Sequence, residues 1–275
     1  MSGLDLKTKI HNGEIIYGTM ISVLRNPRWI ESITKLGLDY VIIDNEHSPL
    51  GRSEVADLLA ILKFTNIVPI VRIPIPDGHY TTMAVDAGSH GVLAPYCETV
   101  DQVEEVVAAC KWRPLKGEFV DKIIKGQEFP SEETKLYLEN KNKNNICIIG
   151  IESVPAINNL DDILSVNGID AVFVGPNDLT ISLGIPDQYD HPDYEAALRE
   201  IISKSKAAGV PVLIHHQTVS LTQKWLKEGA RFVLYSSDAR TMHNGYREEF
   251  GQIKAVGQEL GGDSASDVGE SQEVI

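Results

Sequence analysis

Eight short runs rich in Val and Ile recur along this chain, at about residues 17–22, 39–44, 68–74, 90–96, 147–153, 169–175, 211–216 and 231–236, with helical patterns between most of them. Continuous apolar runs of this length are the mark of strands buried on both faces, which is the condition of a parallel sheet covered by helices. Ser53 to Lys63 places Val55, Leu58, Leu59 and Leu62 at i, i+3, i+4 and i+7, one apolar helix face, and Val100 to Cys110 and Tyr194 to Ala207 repeat the pattern. Gly37, Gly88, Gly209 and Gly229 each follow a helical stretch and precede a strand, where a C-terminal cap belongs. Eight such units predict an α/β protein, a closed (β/α)8 TIM barrel. An open doubly wound sheet would carry a glycine-rich phosphate turn after its first strand, and this chain has none.

Four of the runs end in charge: Asp44 with Glu46 and His47, then Arg72, Glu152 and Asp178. The C-terminal ends of all strands in a parallel barrel share one face, so these groups are expected to converge there. Carboxylates from different strands suit a hard divalent cation, and Glu152 and Asp178 are the natural pair. The plain alternative is that each caps the helix after it. Gly175, Pro176, Asn177 and Asp178 also present backbone N–H groups at a helix start, suited to a substrate carboxylate. His47 follows Asp44 closely enough for that carboxylate to orient the imidazole as a general base. Arg72 suits a developing enolate or carbonyl oxygen; its bland reading is an ion pair with a mouth carboxylate. His215 and His216 finish the seventh strand, and one of the two should point inward toward a ligand. Asp86, on the helix after the third strand, reads by position as a solvated or capping residue.

The net charge of −14 argues against a nucleic-acid or anionic-membrane partner and leaves a metal or small molecule open. No apolar stretch is long enough for a signal-peptide core or a membrane span, which predicts a cytoplasmic protein. Cys97, Cys110 and Cys147 lack metal-site spacing and read as reduced packing residues. One barrel domain is expected over 13–256, followed by an acidic, disordered tail over 257–275. Residues 113–145 form a polar insertion after the fourth helix, a loop with a short helix around 131–140 that reads as a lid or an assembly surface.

The ordered set Asp44-Asn45-Glu46-His47, Val71-Arg72, Val85-Asp86-Ala87-Gly88, Gly91 to Pro95, Ile151-Glu152, Phe173 to Leu179, Ser182-Leu183-Gly184 and His191-Pro192 resembles the HpcH/HpaI family of metal-dependent, class II pyruvate aldolases over about residues 13–250. The resemblance implies a barrel of the phosphoenolpyruvate/pyruvate type with a swapped C-terminal helix, here about 238–254, and a homo-oligomer, a hexamer or trimer of dimers. It implies Mg2+ or Mn2+, with Co2+ also accepted, held by Glu152 and Asp178 and completed by pyruvate and water. His47, paired with Asp44, would be the acid/base; Arg72 would hold the carbonyl oxygen and its enolate; the backbone at Asn177 and Asp178 would take the carboxylate. Asp86 matches a family aspartate that supports the site near a subunit boundary.

The implied reaction cleaves a 2-keto-4-hydroxy acid, a small oxo-acid substrate, into pyruvate and an aldehyde. Alternatives are an oxaloacetate-type or citrate-forming or citrate-cleaving member of the same barrel, and a non-catalytic metabolite-binding paralogue. The chain departs from the family pattern at Asn45, His90 and Gly150, in Arg113 to Val120 where an Arg-Gly turn is usual, and in Val212 to Gln217. The pyruvate half of the site reads as intact and the acceptor half as rebuilt.

Overall fold

The structure, a computed structural model, describes residues 1–126 and 129–261. Eight parallel strands close in chain order: β1 (Ile16–Ile21), β2 (Tyr40–Asp44), β3 (Val68–Arg72), β4 (Gly91–Ala94), β5 (Ile146–Gly150), β6 (Ala171–Val174), β7 (Val212–His216) and β8 (Phe232–Ser237). Each expected run is a strand, and β8 pairs with β1 to seal the barrel. The helices are α1 (Gly3–His11), α2 (Ile30–Ile33), α3 (Arg52–Leu62), α4 (Gly78–Asp86), α5 (Val100–Lys111), α6 (Glu118–Ile124), α7 (Glu132–Asn142), α8 (Val154–Asn158), α9 (Leu160–Leu164), α10 (Pro176–Ser182), α11 (Pro192–Ala207), α12 (Val219–Lys227) and α13 (Asp238–Glu259).

Strand parity builds the site. Tyr40 and Ile42, Val68 and Ile70, Ile146 and Ile148, Ala171 and Phe173, and Leu213 pack inside the barrel, while Val41, Ile43, Val71, Ile149, Val172 and Ile214 pack against the helix layer. Side chains alternate with a period of two, so the next inward positions toward the mouth are Asp44, Arg72, Gly150 with Glu152, Gly175 and His215. The apolar stripe of α3 is buried as its spacing predicts. Gly37, Gly88, Gly209 and Gly229 have φ of 72°, 109°, 74° and 108°, the left-handed conformation that glycine supplies at helix ends. At the seam, the Asp238 carboxylate accepts from the Ser22 N–H and hydroxyl at 2.9 and 2.8 Å and from the Leu24 N–H at 2.8 Å, tying the end of β8 to the loop after β1.

Three features differ from the expectation. The barrel's packing begins before the expected start at 13: α1 places Leu6 and Ile10 among the inward residues and plugs the end opposite the mouth. The insertion contains two helices, α6 as well as α7. It joins the end of α5 to the start of β5, so it lies at that same far end and does not close over its own mouth. Last, α13 runs to Glu259, beyond the expected boundary at 256; the rest of the expected tail, 262–275, lies outside the described residues.

Along its 22 residues α13 buries only Ala239. Tyr246, Phe250, Ile253 and Val256 are exposed at 59, 52, 64 and 54%. Beside its root a groove of about 830 Å³ opens between α12 and the β1/β8 wall, lined by Leu24, Trp29, Leu226 and Val233. Among the described residues no helix is long and apolar enough to cross a membrane.

Candidate active site

Asp44 and Arg72 face each other in the β2/β3 register. Arg72 Nε and Nη2 donate to the two Asp44 oxygens, both at 2.8 Å, a bidentate clamp buried at the mouth. Arg72 Nη1 lies 3.1 Å from Glu46 Oε2. Burial acts to raise the Asp44 carboxyl, but the hydrogen bonds and charge of Arg72 and the Glu46 N–H at 3.0 Å hold it below the usual carboxylate range.

This geometry corrects the pairing of His47. Asp44 spends both oxygens on Arg72 and reaches only the His47 backbone N–H, at 3.4 Å; the nearest acid to the ring is Glu46, with His47 Nε2 3.5 Å from Oε2. Burial and the Arg72 charge lower the imidazole pKa against the pull of Asp44 and Asp178, so the ring is neutral near pH 7 and able to accept a proton. Glu46 converges as expected but had no role in the sequence reading. Burial first, with Asp44 and Asp178 adding against Arg72, pushes it up to about 7.

Glu152 is 2% exposed, and its Oε1 has no hydrogen-bond partner. It does not cap the helix after it: Ser153 does, accepting from Ala156 N–H at 3.3 Å. Burial, reinforced by Glu46 and Asp178 and opposed by Arg72, pushes Glu152 up to about 8. The side chain lies across two glycines. A Cβ on Gly150 would stand 2.6 Å from Glu152 Oε1, and one on Gly175 2.8 Å from its Cδ. The departure at Gly150 therefore has a local reason. Asp178 sits in the first turn of α10, whose N-cap Gly175 offers no side chain and whose N1 is Pro176, leaving the N–H groups of this turn without a side-chain cap.

Glu46, Glu152 and Asp178 thus act on one another at the mouth, and the first two share a guanidinium already matched by Asp44. Among the described residues no three His, Cys, Asp or Glu groups form a ready-made cage. An all-oxygen donor set with a partnerless buried oxygen and surplus negative charge fits a hard divalent cation that takes its remaining ligands from water and substrate.

Of the vicinal histidines, His215 points inward, 3.3 Å from Ser236 O, and burial, then Arg72 and His216, push it to about 3. His216 faces the helix layer, its ring 6.3 Å from Tyr194, which removes it from the substrate-binding set. Asp86 is removed from the mouth of its own barrel: α4 runs from the mouth to the start of β4, and Asp86 at its far end pairs with Arg113 Nη2 at 2.7 Å. The Asn177 side chain accepts from the Tyr189 hydroxyl at 2.9 Å. Tyr96 was missed. It lies two residues beyond β4 with φ of 34°, a strained value for a non-glycine residue, and its phenol is raised by burial and by Glu46 and Glu152. The signal that found the other groups, charge at a strand end, is silent for a tyrosine.

The sequence model of the family described as HpcH/HpaI aldolase/citrate lyase matches residues 19–245. The chain belongs to the HpcH/HpaI aldolase/citrate lyase family. It is 30% identical over 238 residues to a hydroxypyruvate/pyruvate aldolase of Roseobacter denitrificans, covering 86% of this chain and 92% of that one. A 5-keto-4-deoxy-D-glucarate aldolase of Escherichia coli is 31% identical over 217 residues, 79% of this chain and 84% of its own. Among solved structures, an HpcH/HpaI aldolase/citrate lyase family protein from Burkholderia cenocepacia J2315 superposes with a TM-score of 0.79 at 26% identity, over 91% of this chain and 99% of that one.

Proposed function

We propose that this member of the HpcH/HpaI family is a divalent-metal-dependent lyase that cleaves a 2-keto-4-hydroxy acid into pyruvate and an aldehyde. The observation that carries the reading is the partnerless buried carboxylate of Glu152 set beside the Asp44–Arg72 clamp. A cation, Mg2+ or Mn2+, held by Glu152 and Asp178 would supply Lewis-acid polarisation of the keto oxygen.

The chain's own residues do the rest. Asp44 fixes the Arg72 guanidinium, so its donors meet the C2 oxygen without reorganisation as negative charge develops there. Neutral His47 takes the proton of the C4 hydroxyl, directly or through one water. The C3–C4 electron pair then passes into the enolate, the C4 carbonyl leaves as aldehyde, and C3 takes up a proton to give pyruvate. The backbone N–H groups at Asn177 and Asp178 receive the substrate carboxylate.

Deuterium exchange into the pyruvate methyl group, followed by proton NMR with Mg2+ or Mn2+, tests this. Exchange that needs the cation and is lost in His47→Ala and Arg72→Ala is the expected result. No exchange with either cation overturns the enolate reading.

The protein is further proposed to assemble by exchange of α13 into a homo-oligomer. The exposed apolar stripe of α13 and the groove beside its root support this, since each has what the other lacks. Three buried free cysteines suit a reducing compartment, and the cytoplasm is the proposed location.

A further inference from the structure

At the end of the barrel opposite the mouth, α1 is tied to the turn before β5, where the Leu4 N–H donates to the Asn144 side chain at 3.2 Å. The same turn brings two lysines to one oxygen. The Asn145 carbonyl accepts from Lys111 Nζ, at the end of α5, at 2.6 Å and from Lys7 Nζ, on α1, at 3.5 Å. Lys111, with a side chain only 13% exposed, pairs with the Asp170 carboxylate. Asp170 also accepts from the Cys147 N–H at 2.8 Å and lies 3.4 Å from His11 Nε2. Half-buried Lys7 has no such partner: among the described residues Lys9, Lys35, Lys111, Lys122, Lys204 and Lys224 make ion pairs, and Lys7 makes none.

An ammonium in this position is disfavoured twice, by the water it has lost and by the second ammonium on the same oxygen. Burial first, and the Lys111 charge next, lower the Lys7 amine from its ordinary range, and the opposing pulls of Asp170 and Cys110 are each weaker. Asp170 is turned to Lys111 and His11, so it does little for Lys7. A lysine held beside a fixed cation with part of its hydration removed is one that reacts as a neutral nucleophile. His11 lies one turn on from Lys7 along the same face of α1 and adds a further donor to the cluster.

We propose that Lys7 is a carbamylation site for carbon dioxide, the carbamate closing on Lys111 and fastening α1 to the floor of the barrel. The Lys7 ammonium gives a proton to water, its lone pair forms a bond to the carbon of CO2 while one C–O π pair moves onto oxygen, and the nitrogen releases a second proton. The product is Nζ–COO−, and no oxidant or reductant takes part. A cation repelled by Lys111 is thereby replaced by an anion whose oxygens accept from Lys111 Nζ. Carbon dioxide suits the place because it is small and uncharged and its adduct carries the charge that Lys111 favours. An aldehyde or oxo acid would leave a neutral or cationic imine at Nζ, which gains nothing from that neighbour. The site stands apart from the mouth and does not depend on the aldolase reading.

The test uses the full chain in isotope-labelled bicarbonate at pH 8. Carbon NMR reads the carbamate, and alkylation with triethyloxonium followed by peptide mass spectrometry names the lysine that carries it. Lys7 is expected to be trapped several-fold more than the exposed lysines, with a carbamate resonance that disappears in Lys7→Arg, a variant that keeps the charge. Lys111→Gln should weaken the resonance with Lys7 still in place. Bicarbonate should also raise Tm above that in chloride at equal pH and ionic strength, by about 2–5 °C once the site is largely filled, and should fail to do so in Lys7→Arg. No resonance, a resonance that survives Lys7→Arg, or trapping of Lys7 no greater than that of exposed lysines overturns the site. A carbamate on Lys7 with no rise in Tm overturns the fastening of α1.

Discussion

Replacing Glu152 by Gln should make the cation-free protein more stable and remove its response to metal. Glu152 is 2% exposed with a partnerless oxygen, and its carboxyl is pushed from 4.5 up to about 8. A raised carboxyl favours the folded state only while protonated. Below about pH 4.5 both states hold the proton and nothing is lost. Between 4.5 and 8 the unfolded chain releases it and the folded one does not, so stability falls, and above 8 the whole penalty is present. That rise corresponds to about 5 kcal/mol at most, of which relaxation and the unpaired amide leave about 2–4 kcal/mol. In a chain of this size that is a rise in Tm of about 4–12 °C in EDTA at pH 8, shrinking to about 1–3 °C at pH 5. Differential scanning calorimetry reads both. Wild type should gain about 3 kcal/mol from cation at a hundred times its Kd, and the variant little. If Glu152→Gln is destabilised at pH 8, or gains as much from Mg2+ as wild type, the carboxylate is not a strained ligand waiting for charge.

Arg72→Met leaves Asp44 buried and unpaired and should cost about 3–5 kcal/mol at neutral pH by urea denaturation, while abolishing pyruvate exchange. A loss below 1 kcal/mol would show that the clamp is not formed. Gly175→Ala sets a Cβ 2.8 Å from Glu152 Cδ and should remove the cation-dependent Tm shift with circular dichroism unchanged; a normal shift would disprove the cradle. Phe250→Asp places charge in the middle of the exposed apolar stripe of α13 and should lower the mass seen by light scattering at least twofold, whereas an unchanged mass would locate the subunit contacts elsewhere.

Strand parity is the reason the barrel and half of its mouth were legible in the chain. A run such as Val68 to Arg72 declares both its burial and the face of its last residue, so Asp44, Arg72, Glu152 and His215 could be placed from position alone. The same rule, followed one residue further, puts His216 on the helix side, and only the start of the strand was needed to choose between the two histidines. What position cannot give is partnership. Three-residue spacing suggested Asp44 for His47, yet the β2/β3 register delivers Arg72 to Asp44 first, and a carboxylate clamped by two nitrogens has little left for an imidazole. Glu46 is the nearest acid to the ring, 3.5 Å away and without a hydrogen bond to it.

Asp86 and the insertion show the other limit. Asp86 was read as supporting the site from the family pattern and the insertion as a lid or an assembly surface from its polarity, and in a single barrel both lie at the far end, where α4 and α5 finish. A helix that follows a strand must return to the opposite face before the next strand begins, so any residue at its end is a barrel's length from its own mouth. Such a residue reaches chemistry only through a second subunit. The exposed stripe on α13 is where the proposed assembly would form, and a second subunit is the route by which Asp86 and the insertion would meet a mouth.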